Sequence, residues 1–196
     1  MLVPRDRQTI TPGRQPGTKA ANTGLSGGAE DPERDALIGR KVLRCAEFGL
    51  RPILCVGEQL DDRQGGRAEQ TVRRQLERTL AEIRSVATVI PDDLVVAYEP
   101  VWAIGTGLTA RGSDAAAMAQ VIRQTLAEGG VVDGAAHVPV LYGGSVTSGS
   151  SDEFLAEPDL DGALVGGASL KVDEMAGIVA RAGLTAAARG GDASQG

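Results

Sequence analysis

The chain has 196 residues, 42% hydrophobic and 23% charged, which is enough apolar material for one sizeable core. Its 20 Lys and Arg against 26 Asp and Glu leave a net charge of −6, which argues against a nucleic-acid partner, because phosphate-backbone binders concentrate cations on one face. No run of about 18 apolar residues occurs and no apolar segment follows the charged N-terminus, so neither a membrane span nor a secretory signal is expected, and the expected compartment is the cytoplasm.

Residues 1–30 hold Pro4, Pro12, Pro16 and five glycines without apolar periodicity, which predicts an irregular or disordered leader. Regular structure is expected over 31–183. It opens at Asp31-Pro32-Glu33, where a capping residue, a first-turn proline and an acid follow one another. Ile38, Val42 and Cys45 recur at helical spacing, Gly49 stops the helix, and Pro52 to Val56 form a continuous apolar run, read as a fully buried strand. A second helix carries Val72, Leu76, Leu80 and Ile83 and leads to a strand at Leu94–Tyr98. A third opens near Ser113-Asp114 with Met118, Ile122 and Leu126 in line, before a strand at Val138–Tyr142. A short helix at Ser151–Ala156 leads to a strand at Ala163–Val165, and a last helix holds Met175, Ile178 and Val179. Residues 184–196, rich in Ala, Gly and polar types, are expected to form a flexible tail.

Apolar strands separated by helices predict an α/β class with parallel pairing through right-handed crossovers. Doubly wound sheets and (β/α)₈ barrels both fit, although four strands are half of what a barrel needs. Cys45 and Cys55 lie in apolar stretches without metal-ligand spacing, so buried free thiols are expected and no metal site. Glycine is the compositional outlier, 27 of 196 or about 14% against a usual share of roughly 7%.

The distinctive residues follow the strands: Gly57-Glu58, then Glu99 to Gly107, then Gly143-Gly144-Ser145, then Gly166-Gly167. Parallel α/β proteins place their sites at that end of the sheet. A strand-end carboxylate such as Glu99 suits a general base, or it is an ordinary loop acid. Glycine turns can aim several N–H groups at one oxyanion, making a phosphate pocket without Lys or Arg, or they merely make short turns. Gly105-Thr106-Gly107-Leu108-Thr109-Ala110 also fits a dinucleotide pattern, but there the first glycine ends the strand, whereas Glu99 to Ile104 intervene here.

Four ordered segments resemble the triosephosphate isomerase family. Ile53 to Glu58 is similar to its fifth strand, and Ala97-Tyr98-Glu99-Pro100-Val101-Trp102-Ala103-Ile104-Gly105-Thr106-Gly107 to its signature and lid. Leu141 to Val146 is similar to its seventh strand and loop, and Asp161 to Leu170 to its eighth. The resemblance covers about Asp31 to Ala182 and implies a half-barrel, strands five to eight with helices on the outer face. It implies interconversion of dihydroxyacetone phosphate and glyceraldehyde 3-phosphate, a cytoplasmic step of glycolysis and gluconeogenesis that needs no cofactor or metal. Glu99 takes the place of the catalytic base. Gly105, Ser145, Gly166 and Gly167 take those of the phosphate-binding N–H groups. Val101-Trp102 and Leu108-Thr109-Ala110 stand as lid hinges, Ala103, Ile104, Gly105, Thr106 and Gly107 as the lid tip, and Tyr142 as the group that bonds the closed lid. Leu108 stands where lysine is common in the family.

The family's Asn-x-Lys pair and its histidine electrophile have no counterpart: Lys19 and Asn22 fall in the leader in reverse order, and the one histidine, His137, precedes a strand at its N-terminal end. A base without electrophiles loses an electrostatic contribution of on the order of 3 kcal/mol per donor, so weak turnover is expected of the isolated chain. A half-barrel is also expected to leave six to eight apolar side chains bare on its inner face, with two open edges. That predicts a homo-oligomer or a complementary half-barrel chain as partner, or a truncated or misread gene product. A noncatalytic phosphate-binding or interaction module is the alternative reading.

Overall fold

The computed structural model describes residues 32–87, 90–104, 110–130 and 138–192. Helix α1 spans Pro32–Glu47, strand β1 Ile53–Val56, α2 Leu60–Gln64, α3 Ala68–Val86, and β2 Val95–Tyr98. A 3₁₀ turn at Val101–Ala103 precedes α4, Gly112–Glu128, and β3, Val140–Tyr142. Helix α5, Ser151–Leu155, leads to β4, Gly162–Ala163, then a 3₁₀ turn at Gly167–Leu170 and α6, Val172–Asp192. The four strands form one parallel sheet in the order β1-β2-β3-β4. Sequential order with a helix in each connection is the arrangement of a (β/α) half-barrel and not of a doubly wound sheet, where the order reverses.

Alternation along the strands divides the core. Leu54, Val56, Val96, Tyr98, Val140 and Tyr142 point to the helical layer and pack with Val72, Leu76, Leu80 and Ile83 of α3 and Met118, Ile122 and Leu126 of α4. The expected helix faces are thereby confirmed, because the 3.6-residue period leaves each helix one stripe to bury. The opposite face carries Val95, Ala97 and Leu141, with Ile53, Cys55 and Leu164 packed against them. The expectation of a bare inner face is corrected in part: Val95, Ala97 and Leu141 are at most 4% exposed, while Ile53, Cys55 and Leu164 beside them are half-buried. The open edges are as expected, because among the described residues β1 and β4 each pair on one side only.

Three boundaries differ from the sequence expectation. The short α2 was not foreseen, having no buried residue and hence no apolar period. Strand β4 ends at Ala163, although Leu164 still donates its N–H to the Tyr142 carbonyl at 2.8 Å. The tail expected over 184–196 is corrected through Asp192, which α6 reaches. Ala186, Ala187 and Ala188 favour helix, and the Arg189 guanidinium donates to the carbonyls of Leu160 (3.2 Å) and Leu155 (2.7 Å), tying the last turns to α5. Of the expected α6 stripe only Ile178 is fully buried; Met175 is half-buried and Val179 is exposed, because α6 meets mainly α5 and the preceding 3₁₀ turn. The leader and His137 lie outside the described residues.

Candidate active site

Parallel register sets the height of every residue beyond the strands. Val56, Tyr98 and Tyr142 are level, with Ala163 beside Tyr142, so Gly57, Glu99, Gly143 and Leu164 form the next tier. Backbone bonds carry the ladder into that tier: Glu99 donates to the Val56 carbonyl and Gly143 to the Tyr98 carbonyl, both at 2.8 Å. Two residues beyond Ala97, Glu99 falls on the inner face, where its carboxylate bonds the Cys55 thiol. Burial, then the charge of Glu99 and this bond, push the thiol far above its usual range.

Glu99 sits between two glycines that the sequence reads either as donors to an oxyanion or as short turns. A Cβ on Gly57 would overlap the Glu99 carbonyl oxygen and lie 2.6 Å from its carbonyl carbon. A Cβ on Gly143 would lie 2.6 Å from the Glu99 Cγ and 3.3 Å from its Oε1. Glycine is required at both positions by close approach, so one neighbour fixes the backbone of the carboxylate and the other its side chain.

The segment after Glu99 is anchored at its start. Val101 donates to the Glu58 carbonyl at 3.1 Å, and Val101–Ala103 closes a 3₁₀ turn with Ala103 bonded to Pro100 at 2.8 Å. The fully buried Glu58 accepts the Trp102 indole N–H at 2.7 Å and the Tyr98 hydroxyl at 3.1 Å through one oxygen, Oε1. Its Oε2 is buried and has no hydrogen-bond partner among the described residues. The Arg63 guanidinium lies 5.4 Å from the Trp102 ring centre and pairs with Asp114 at 2.9 Å, tying α2 and α4 to the same turn. Ala103, expected at a lid tip, is fully buried, and its carbonyl accepts the Ser145 hydroxyl at 3.0 Å; Ile104 is 42% exposed. Gly105, Thr106, Gly107, Leu108 and Thr109 lie outside the described residues; Ala110, at the far side, is buried.

Tyr142 points into the helical layer, stacked on Phe154 with ring centres 3.9 Å apart. Its hydroxyl is buried and has no partner among the described residues, and burial followed by the Glu153 charge pushes it up to about 12. A Cβ on Gly144 would overlap that hydroxyl, which accounts for glycine there. Gly166 and Gly167 are different: both are exposed and a Cβ on either would meet nothing within 4 Å. Nothing in the chain's own packing demands glycine at this pair. Gly166 opens the 3₁₀ turn, and its carbonyl accepts the Ser169 N–H (2.9 Å) and hydroxyl (2.7 Å).

The structure thus places Glu99, Ser145, Gly166 and Gly167 at the C-terminal edge of one sheet, with Val101, Trp102, Ala103 and Ile104 alongside. Glu58 stands out in the sequence only as part of Gly57-Glu58 after a strand, and nothing local marks it as buried. No group of three or more His, Cys, Asp or Glu able to hold a metal occurs among the described residues. No described helix is long and apolar enough to cross a membrane.

Comparison with known proteins converges on the same segments. The family model for triosephosphate isomerase matches residues 30–182. The triosephosphate isomerase of Roseiflexus sp. (strain RS-1) is 50% identical over 150 residues, which is 75% of this chain and 57% of that protein. Those of Roseiflexus castenholzii and Alkaliphilus oremlandii are 48% and 40% identical, each over 75% of this chain and over 57% and 58% of the relatives. The chain therefore spans somewhat more than half the length of these curated relatives. On the family match, the four-stranded parallel half-barrel and the glycine-flanked glutamate together, the chain belongs to the triosephosphate isomerase family.

Proposed function

We propose that this chain carries the base, the lid root and the phosphate loops of a triose-phosphate isomerase acting in the cytoplasm. The observation that carries the reading is Glu99, its backbone held against Gly57 and its carboxylate side chain against Gly143, on the tier that also leads into Ser145 and Gly166-Gly167. In this reading Glu99 removes a proton from the carbon beside the substrate carbonyl and returns it to the neighbouring carbon through an enediolate. The roles of base and lid are those the family supplies. The N–H groups of Gly105, Ser145, Gly166 and Gly167 hold the phosphate, and exposed glycines free of any packing demand suit a close-approaching anion. The Tyr142 hydroxyl receives the lid, a use that fits its being buried without a partner among the described residues.

The enediolate needs a cation or donor, and the chain's lysines are Lys19, Lys41 and Lys171, with Lys41 exposed on α1 and Lys171 exposed before α6. The complementary (β/α)₄ half, pairing with the open edges of β1 and β4, is the proposed source of the electrophiles; a second copy of this chain closes the edges but brings none of them. A noncatalytic phosphate-binding module is the second reading, which the exposed Gly166-Gly167 pair fits equally well. Purified protein is assayed for interconversion of the two triose phosphates beside Glu99→Asp. Turnover reduced by at least about 10²-fold in the variant supports the isomerase reading. Phosphate-ester binding that survives Glu99→Asp, with no turnover in either protein, supports the module instead.

A further inference from the structure

Gln75 lies on α3, 3% exposed, in a stripe otherwise filled by Val72, Leu76, Thr79 and Leu80. A primary amide among apolar neighbours is stable only when its polar atoms are bonded. Both are: Oε1 accepts the Gly57 N–H at 3.0 Å, and Nε2 donates to the Gly57 carbonyl at 3.0 Å. The neighbours of Gly57 face the other way, since the Val56 carbonyl accepts Glu99 N–H at 2.8 Å and the Glu58 carbonyl accepts Val101 N–H at 3.1 Å. Successive residues of a parallel strand bond to opposite sides, so the groups of Gly57 point to the open edge of β1. The Gln75 amide fills that edge like a one-residue strand. Gly57 in turn is the wall against which the Glu99 carbonyl rests, with no room for a Cβ between them.

We propose that Gln75 is a positioning residue for Glu99: by gripping both backbone groups of Gly57 it fixes the wall that sets where the carboxylate stands. The meaning of this placement rests on the reading of Glu99 as base. Its test does not, because Cys55, bonded to Glu99, reports the carboxylate position without any turnover.

In the full chain with Cys45→Ser, the alkylation rate of Cys55 by iodoacetamide is measured from pH 7 to pH 10, with far-UV circular dichroism as the folding control. Glu99→Gln removes the neighbouring anion and raises the rate about tenfold, one pKa unit of thiolate. Gln75→Met, close in volume and without the two bonds, raises it about threefold when Glu99 is present and leaves it unchanged in the Glu99→Gln background. Gln75→Glu, which keeps an acceptor for the Gly57 N–H but no donor, gives a smaller rise and serves if the Met variant does not fold. An equal rise in both backgrounds means general loosening and overturns the proposal, as does no rise at all. Loss of folding in both Gln75 variants overturns it too, since the residue then serves the fold as a whole. An inactive isolated chain defeats the isomerase reading and leaves this result standing.

Discussion

Three glycines of the site sit in three different steric settings, so three alanine substitutions separate fold, base and anion. At Gly57 the new Cβ meets backbone: it overlaps the Glu99 carbonyl oxygen and lies 2.6 Å from the carbonyl carbon, against about 3.5 Å for an ordinary carbon contact, so the chains must part by more than about 1 Å. That gap strains the two bonds that flank it, Glu99 to Val56 and Val101 to Glu58. Overpacking at about 1–3 kcal/mol plus two weakened bonds at about 1 kcal/mol each gives an expected loss of about 3–5 kcal/mol for Gly57→Ala. At Gly143 the obstacle is the Glu99 Cγ, a side chain that can swing aside, so Gly143→Ala loses about 1–2 kcal/mol but turns the carboxylate away. At Gly166 nothing lies within 4 Å, so Gly166→Ala changes stability by no more than about 0.5 kcal/mol while blocking the approach of an anion. Urea unfolding of the three variants, with glycerol 3-phosphate binding measured by calorimetry on each, reads all three effects. A Gly57→Ala protein within 1 kcal/mol of the parent, or a Gly166→Ala protein as destabilised as Gly57→Ala, refutes the reasoning.

Glu58→Leu leaves the Tyr98 hydroxyl and the Trp102 indole without their shared acceptor and relieves only Oε2, which has no partner among the described residues, so a net loss of about 1–3 kcal/mol is expected. Because Trp102 is the chain's single tryptophan, a red shift of its emission in the folded variant checks that the turn has opened, and an unchanged spectrum contradicts it. Stability should fall above pH 9–10: Cys55, Tyr98 and Tyr142 hold their protons more tightly folded than unfolded, so the unfolded chain ionises first as pH rises. Tyr142 adds to that fall between about 10 and 12 alongside Cys55 and Tyr98, so Tyr142→Phe makes the stability curve less steep there; an unaltered slope would remove the tyrosine from the explanation. Arg189→Met should cut about 1 kcal/mol and release the end of α6, seen as faster amide exchange over residues 184–190, because the carbonyls of Leu155 and Leu160 lose their donor.

What the sequence made legible was periodicity and order. Val72, Leu76, Leu80 and Ile83 announce α3 because a helix with one buried stripe has no other pattern, and each is fully buried. The four apolar runs announce parallel strands for the same reason, and the segments after them carry the candidate site residues, Glu99 included. What stayed hidden depends on distances across the fold. No local pattern tells that Gly57 and Gly143 flank one glutamate while Gly166 faces open space, since all three read as glycine after a strand. The role of Gln75 and the bonds of Glu58 were invisible because their partners lie 18 and at least 40 residues away. The tail misled because its glycines and polar residues outweighed three alanines on paper, whereas the tether from Arg189 to α5 decides the matter in space.

The central claim is that one anion site and one carboxylate face the same ligand. An amide-resolved NMR titration of the purified chain with glycerol 3-phosphate tests it most directly, repeated on Glu99→Gln. The account predicts saturable shifts at Ser145, Gly166 and Gly167, accompanied by Gly143 and Glu99, with the phosphate-loop shifts retained in the variant and those beside the carboxylate diminished. Shifts confined to other surfaces, or a phosphate response at Gly166-Gly167 that never reaches the tier of Glu99, would contradict it.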